Sequence, residues 1–148
     1  MDYEALAAGY QEAIPFNKHL GLEVAELGEG RGVVRLPVDD VLRNHVGSQH
    51  AGALFTAGEA ASGGAFVGTF AEQMANITPL AKSAEISYLK VARGPITATA
   101  TLPQSAESLT SKLEAEGKVV FPVNVALADE DGNTVAEMRV DWHVRKNG

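Results

Sequence analysis

The stretch NHVGSQHAGALFTAGE, from Asn44 to Glu59, decides how this chain is organised. It starts as a polar loop and leads into a segment rich in Gly and Ala, residues 50–69, in which Glu59 is the only formally charged residue. A segment that is apolar nearly all round at this length predicts a buried helix. At 100° per residue, Glu59 falls between Phe55 and Phe66 on one stripe, so we expect its carboxylate to point with the large apolar side chains and away from water.

Glu59 is therefore the first catalytic candidate. Burial disfavours the charged form of a carboxylate, so such a group is rarely retained in an apolar setting without a partner or a task. A raised pKa suits an acid to work as a base or nucleophile. The alternative is a structural role, in which backbone amides or a cation satisfy the Glu59 side chain.

Composition limits the classes of function. The 148 residues suit one domain, which we expect to span residues 1–148, and hydrophobic residues at 45% with charged residues at 21% are typical of a soluble globular protein. The net charge of −7 argues against nucleic-acid binding, and the absence of a long apolar run argues against a membrane span. The acidic N-terminus and the absence of cysteine favour a cytoplasmic protein without disulfides or thiolate chemistry.

The remaining pattern predicts an α+β protein. Residues 3–13 are expected to form a short helix, and residues 22–36 a β-hairpin that contains Gly28 and Gly30. After Pro79 the apolar residues alternate, which predicts four strands, with a helical turn at residues 105–117 between the second and the third. Since each strand offers one apolar face, a single antiparallel sheet curled around the Gly- and Ala-rich helix explains the pattern. Pro122 requires its strand to lie at an edge there or to carry a bulge.

This arrangement resembles the hotdog fold, and its central residues resemble the acyl-CoA thioesterases of the phenylacetate-degradation and 4-hydroxybenzoyl-CoA types. The family pattern is an Asn or Gln, a His, Gly-Gly and a helical acid, and the residues here with matching spacing are Asn44, His50, Ala51, Gly52 and Glu59. Ala replaces the first Gly, which matters little if that position supplies its backbone N–H.

The resemblance also identifies a departure from the family pattern. Many relatives carry Thr, Ser or Asp one helical turn after the acid. Here Gly63 occupies that position, with Ser62 beside it. A water-positioning side chain is therefore missing where the family pattern would put one.

The resemblance implies an acyl-CoA thioesterase in which the Ala51 N–H polarises the thioester carbonyl and Glu59 attacks it or activates water. Amides at a helix N-terminus are unpaired donors, reinforced by the helix dipole. Residues 51 and 59 would lie about 12 Å apart along the axis, too far to act on one carbonyl. The site must then be shared between two subunits, so we expect a homodimer or homotetramer with equivalent sites.

Other residues are assigned supporting roles. Asn44 contacts the thioester region or the loop backbone, and His50 orients substrate or caps the helix. The predicted substrate-binding residues are Gly52, Phe55, Ser62, Gly63, Lys90 and Arg93, of which the two cations would meet the coenzyme A phosphates. We expect no metal and no cofactor, coenzyme A entering only as part of the substrate.

Two other functions remain open at this stage. A hotdog hydratase or dehydratase would need a His and an acid converging on one substrate carbon, but the long hydratase signature around the His is absent. A non-catalytic acyl-CoA binding module would bind the same ligands without releasing thiol.

Overall fold

The computed structural model describes residues 1–148 as four helices and one six-stranded antiparallel sheet. The helices are α1 (Tyr3–Ala13), α2 (Pro15–His19), α3 (Ala51–Thr69) and α4 (Ala106–Glu116). The strands are β1 (Glu23–Gly28), β2 (Arg31–Leu36), β3 (Ile77–Tyr88), β4 (Ile96–Thr101), β5 (Lys118–Ala128) and β6 (Thr134–Lys146). Their order in the sheet is β1-β2-β4-β5-β6-β3. The sheet wraps around α3, which is the hotdog arrangement that was predicted.

Glycines allow α3 to lie directly on the sheet backbone. A Cβ added at Gly32 would overlap the Ala61 carbonyl oxygen and would come within 2.7 Å of the Ala65 nitrogen. A Cβ added at Gly68 would overlap the carbonyl oxygen of Gly28. The predicted close approach of a small-residue helix is therefore confirmed, and its contacts are with β1 and β2.

The inward faces of three strands follow the predicted alternation. Every inward residue of β4, β5 and β6 is buried, and this core also includes Phe66 and Phe70 of α3. Phe66 stacks on Phe121 and on Trp142, with ring centroids 6.5 Å and 5.6 Å apart. These aromatic contacts fix the rotation of α3 relative to β5 and β6.

Pro122 lies in a central strand, yet its position satisfies the expected constraint. It pairs with Asp141 of β6, whereas β4 ends at Thr101 opposite Asn124. On the β4 side, Pro122 therefore has no neighbouring strand that would require its missing N–H. The strand is locally an edge at this point and needs no bulge there.

Strand β3 differs from the prediction. Each strand was expected to place its apolar face against the helix. Of Ala84, Ile86 and Tyr88 on that face of β3, however, only Ile86 is partly covered, and Tyr88 is 49% exposed. The physical reason is that α3 packs mainly over β1, β2, β4 and β5, with fewer contacts to β6, so it does not cover the strand at the opposite edge. An apolar face and an unpaired strand edge thus remain open together.

The short helix α2 was not predicted. Pro15 at its first turn suits a helix start because no intrahelical bond needs its missing N–H. No helix of the chain combines the length and the apolar character needed to cross a membrane.

Candidate active site

The first turn of α3 leaves one backbone amide free. His50 caps the helix, its Nδ1 accepting a hydrogen bond from the Gly52 amide at 2.8 Å. The amides of Ala53 and Leu54 donate to the His50 carbonyl oxygen, at 3.0 Å each. The Ala51 amide has no acceptor in the chain, and Ala51 is exposed. The Ala51 amide, which was expected to bind the thioester carbonyl oxygen, is thus the single unpaired donor in this turn.

The cap also defines what His50 offers to a ligand. Because Nδ1 accepts a hydrogen bond, the neutral ring carries its hydrogen on Nε2. The imidazole therefore offers a hydrogen-bond donor at Nε2. This tautomer disfavours the role of a base, which hydratase chemistry would require of His50.

Asn44 uses its whole side chain to hold the loop before α3. Its Oδ1 accepts from the amides of Val46 and Ser48 at 3.1 Å and 3.0 Å. Its Nδ2 donates to the Ser48 hydroxyl at 2.8 Å and to the Gln49 carbonyl oxygen at 3.4 Å. In this structure Asn44 therefore organises the loop, the second of its two predicted roles.

Gln49 is a site-forming residue that the sequence analysis missed. Its buried side chain donates to the carbonyl oxygens of Pro37 and Gly94, at 2.9 Å and 3.0 Å. Its amide donates to the Ala92 carbonyl oxygen at 2.9 Å. These bonds join the loop before α3 to the loop after β3. A polar residue just before a helix gives no pattern from which such distant partners could be read.

Glu59 is half-buried and lacks a partner. Its carboxylate makes no hydrogen bond and no ion pair, and desolvation by burial raises its pKa above the ordinary value. Only its backbone carbonyl is used, as the acceptor of the Ser62 hydroxyl at 2.7 Å. The structural alternative, a Glu held by amides or by a cation, therefore finds no support within one chain.

Tyr10 of α1 is the second residue that the sequence analysis missed. Its hydroxyl donates to the carbonyl oxygen of Ala60 at 2.8 Å. A Cβ added at Gly63 would overlap that hydroxyl oxygen, and it would lie 3.7 Å from the nearest carbon of the Trp142 ring. Burial, and secondarily the charge of Glu59, raise the pKa of Tyr10 well above its usual range, so the phenol stays protonated. Residue 10 gave no signal because it is one of several apolar positions of a leading helix.

Ser62 faces the interior instead of the open side. It is fully buried, and its hydroxyl accepts a hydrogen bond from Trp142 Nε1 at 3.0 Å while donating to the Glu59 carbonyl oxygen. The hydroxyl thereby ties α3 to β6 directly behind Glu59. A direct contact of Ser62 with substrate remains only a prediction.

The open face of α3 runs along its N-terminal half. Ala51, Gly52, Phe55 and Glu59 share this side, exposed or partly covered, and the face ends at Gly63, where Tyr10 covers the helix. The Tyr88 hydroxyl donates to the Ala51 carbonyl oxygen at 3.0 Å, which brings the end of β3 to the first turn of α3. The open face and the uncovered apolar side of β3 therefore adjoin.

Lys90 and Arg93 lie exposed in the loop after β3, and neither forms an ion pair. Arg93 borders a small cavity of about 90 Å³ together with Arg43 and residues 47–49. The larger surface depressions are lined by other residues, on the outer face of the sheet and beside α1. No group of His, Asp and Glu side chains is placed to hold a metal ion.

Comparison with known proteins assigns this chain to a protein family. Residues 3–144 match the model described as Domain of unknown function (DUF4442). Among proteins of curated function, no sequence matches this chain.

Among solved structures, PA5026 of Pseudomonas aeruginosa, described as a probable thioesterase, is 30% identical, with 97% of this chain and 95% of that chain covered and a TM-score of 0.85. PaaI from the phenylacetic acid degradation operon of Escherichia coli is 23% identical over 98% and 94%, with a TM-score of 0.76. The Staphylococcus aureus thioesterase SAV0944 is 19% identical over 89% and 99%, with a TM-score of 0.72. The last two likenesses establish the fold alone.

Proposed function

This chain belongs to the DUF4442 family, and we propose that it is an acyl-CoA thioesterase whose sites are shared between subunits. One observation carries the proposal: a single helix face presents an amide with no acceptor, at Ala51, and a half-buried carboxylate with no partner, at Glu59. A donor for a developing oxyanion and an acid of raised pKa are what thioester hydrolysis needs. The description of PA5026 as a probable thioesterase supports the same chemistry.

In the reaction proposed, the carbonyl oxygen of the thioester accepts a hydrogen bond from the Ala51 amide, and the Nε2–H of His50 is the second donor. Glu59 takes a proton from water, and the resulting hydroxide adds to the carbonyl carbon. When the tetrahedral intermediate collapses, the C–S bond breaks, and the leaving thiolate of coenzyme A recovers the proton from Glu59. Direct attack by Glu59, followed by hydrolysis of the anhydride, would use the same residues.

The distance along α3 makes a dimer part of this proposal. Eight residues at 1.5 Å each separate the two groups by about 12 Å, so the Ala51 amide of one chain must act with the Glu59 carboxylate of another. A two-fold axis that sets two copies of α3 antiparallel satisfies this condition twice, and pairs of such dimers give a tetramer. The uncovered edge and apolar face of β3, where Tyr88 is 49% exposed, offer the surface that such a partner would cover.

The same face suggests how the substrate would lie. Phe55 and Gly52 of α3, with the partly exposed Ile86 of β3, would contact the acyl group. Lys90 and Arg93 would approach the phosphates of coenzyme A. The chemistry needs no cofactor beyond the coenzyme A of the substrate.

A thiol-release screen tests the proposal. The protein is incubated with short, long and aromatic acyl-CoAs and a thiol reagent, and turnover is compared among wild type, Glu59→Gln and Glu116→Gln. Glu116 is exposed at the end of α4 and makes no ion pair, so its variant controls for loss of one carboxylate. We expect Glu59→Gln alone to lose hydrolysis. Binding of acyl-CoA without thiol release would identify a binding module instead, and turnover in Glu59→Gln would refute the role of the acid.

A further inference from the structure

The hydroxyl of Tyr10 occupies the place of the side chain that residue 63 lacks. Glu59 and Gly63 are one helical turn apart, and side chains at this spacing have Cβ atoms about 5–6 Å apart on the same face. The phenolic oxygen overlaps the position that a Cβ of residue 63 would take, and the ring carbon Cζ lies 3.5 Å from it. An oxygen therefore stands beside Glu59, although it is supplied by α1.

Tyr10 is held there by a rigid frame. The next residue, Gln11, donates from its side chain to the Leu22 carbonyl oxygen at 2.9 Å and accepts from the Val24 amide at 2.6 Å. These bonds fasten α1 to the start of β1. The Trp142 ring also borders the space above Gly63, 3.7 Å from the position that a Cβ would take there.

The hydrogen bond of Tyr10 determines what its oxygen can still do. The proton is donated to the Ala60 carbonyl oxygen at 2.8 Å, and the phenolic oxygen keeps an acceptor lone pair. Tyr10 is only partly buried. A water molecule that reaches Glu59 thus meets two acceptors, one carboxylate oxygen and one phenolic oxygen.

We propose that Tyr10 is a positioning residue that orients the attacking water against Glu59. The water donates one hydrogen to the Glu59 carboxylate, which removes it as a proton, and the other to the Tyr10 oxygen. With both hydrogens engaged, a lone pair of the water oxygen is directed away from the helix toward the substrate carbonyl. This inference rests on the proposed thioesterase function in its general-base form.

The test changes Tyr10 and Gly63, because the Tyr10 hydroxyl occupies the space that a side chain at residue 63 would need. Tyr10→Phe removes the hydroxyl and keeps the ring, and we expect kcat to fall about tenfold while KM stays within about twofold, because a hydrogen bond made in the transition state is lost. Gly63→Ser in the wild type collides with the Tyr10 hydroxyl and should lower activity. In the Y10F background the same serine has room, since the remaining ring carbon lies 3.5 Å from the new Cβ.

We therefore expect Y10F/G63S to regain most of the lost kcat, whereas the matched variant Y10F/G63A, which fills the space without a hydroxyl, should not. Unchanged kcat in Y10F would overturn the inference, as would equal recovery with serine and alanine. If Glu59→Gln is inactive while Y10F behaves like the wild type, the thioesterase proposal stands and the role of Tyr10 alone fails. If the wild type releases no thiol from any acyl-CoA, both fail.

Discussion

The imidazole of His50 accepts a hydrogen bond from the amide of Gly52 at 2.8 Å and leaves the amide of Ala51 without a partner. A capping residue thus satisfies the second amide of the helix and spares the first. The N–H that remains is the one that the thioester carbonyl would need, and it lies at the positive end of the helix dipole.

Ala51→Pro tests this amide with little disturbance of the fold. Residue 51 is the first of α3, where proline is tolerated, and His50 already has the extended backbone, with ψ of 141°, that a residue before proline prefers. We expect kcat to fall by about 10²–10³-fold, the usual effect of losing one oxyanion donor. Ala51→Ser keeps the N–H and serves as control. Equal activity of the two variants would exclude the amide from catalysis.

Mixing two inactive variants tests whether the site is shared. After subunit exchange between A51P and E59Q proteins, half of the dimers are hybrids, and each hybrid has one intact site. We expect recovery of about one quarter of the wild-type activity. A site built within one chain would give no recovery, because every chain then carries one defect. Sedimentation of the wild type should show a dimer or tetramer.

The pH dependence should follow Glu59. Burial raises its pKa above 4.5, so kcat/KM should fall on the acid side with a midpoint above 4.5. The folded state then binds the proton more tightly than the unfolded chain does, and the wild type loses stability as pH rises through the folded pKa. Glu59→Gln should accordingly equal the wild type in unfolding free energy at low pH and exceed it at neutral pH. Denaturant titrations at both pH values measure this difference.

Gly68→Ala tests how α3 is seated. The new Cβ would overlap the carbonyl oxygen of Gly28, which is backbone and cannot move aside. We expect a loss of about 1–3 kcal/mol or more in unfolding free energy. Gly9→Ala in α1 meets nothing within 4 Å and should instead stabilise by about 0.5–1 kcal/mol. The midpoint temperature of thermal denaturation should fall in Gly68→Ala and rise in Gly9→Ala.

Ser62→Ala tests whether Ser62 only stabilises the fold or also contacts the substrate. The change leaves the buried Trp142 Nε1 without an acceptor, which should cost about 1–3 kcal/mol. Ser108→Ala, at an exposed position whose hydroxyl makes no hydrogen bond, should stay within about 0.5 kcal/mol. A rise in KM for the folded Ser62→Ala protein would show that Ser62 also contacts substrate.

Periodicity allowed most of the fold to be predicted. Two local signals were enough: the alternation of apolar and polar residues in β4, β5 and β6, and the run of small residues in α3. Both signals reflect which side of each element is buried. The helix α2 has only five residues and was missed because so short a segment shows no periodicity. The bare face of β3 was missed because alternation tells which side is apolar but not whether anything covers it.

The candidate site was predicted only where its residues are consecutive. Asn44, His50, Ala51 and Glu59 lie on one loop and helix, so their spacing could be matched to the pattern of a resembling family. Tyr10 and Gln49 act on partners that are distant in sequence, and no spacing rule connects Tyr10 with Ala60 or Gln49 with Gly94. Contacts of this kind depend on the tertiary fold.

The two halves of α3 differ in how freely they accept change. Toward the C-terminus Gly64 and Gly68 lie tightly against β1, so a side chain added at either position disturbs folding. Around Phe55 and Thr56 the helix borders open space and a bare strand. On the proposed function, selection for new acyl groups would therefore act on this half and on the facing residues of β3, where substitutions leave the scaffold intact.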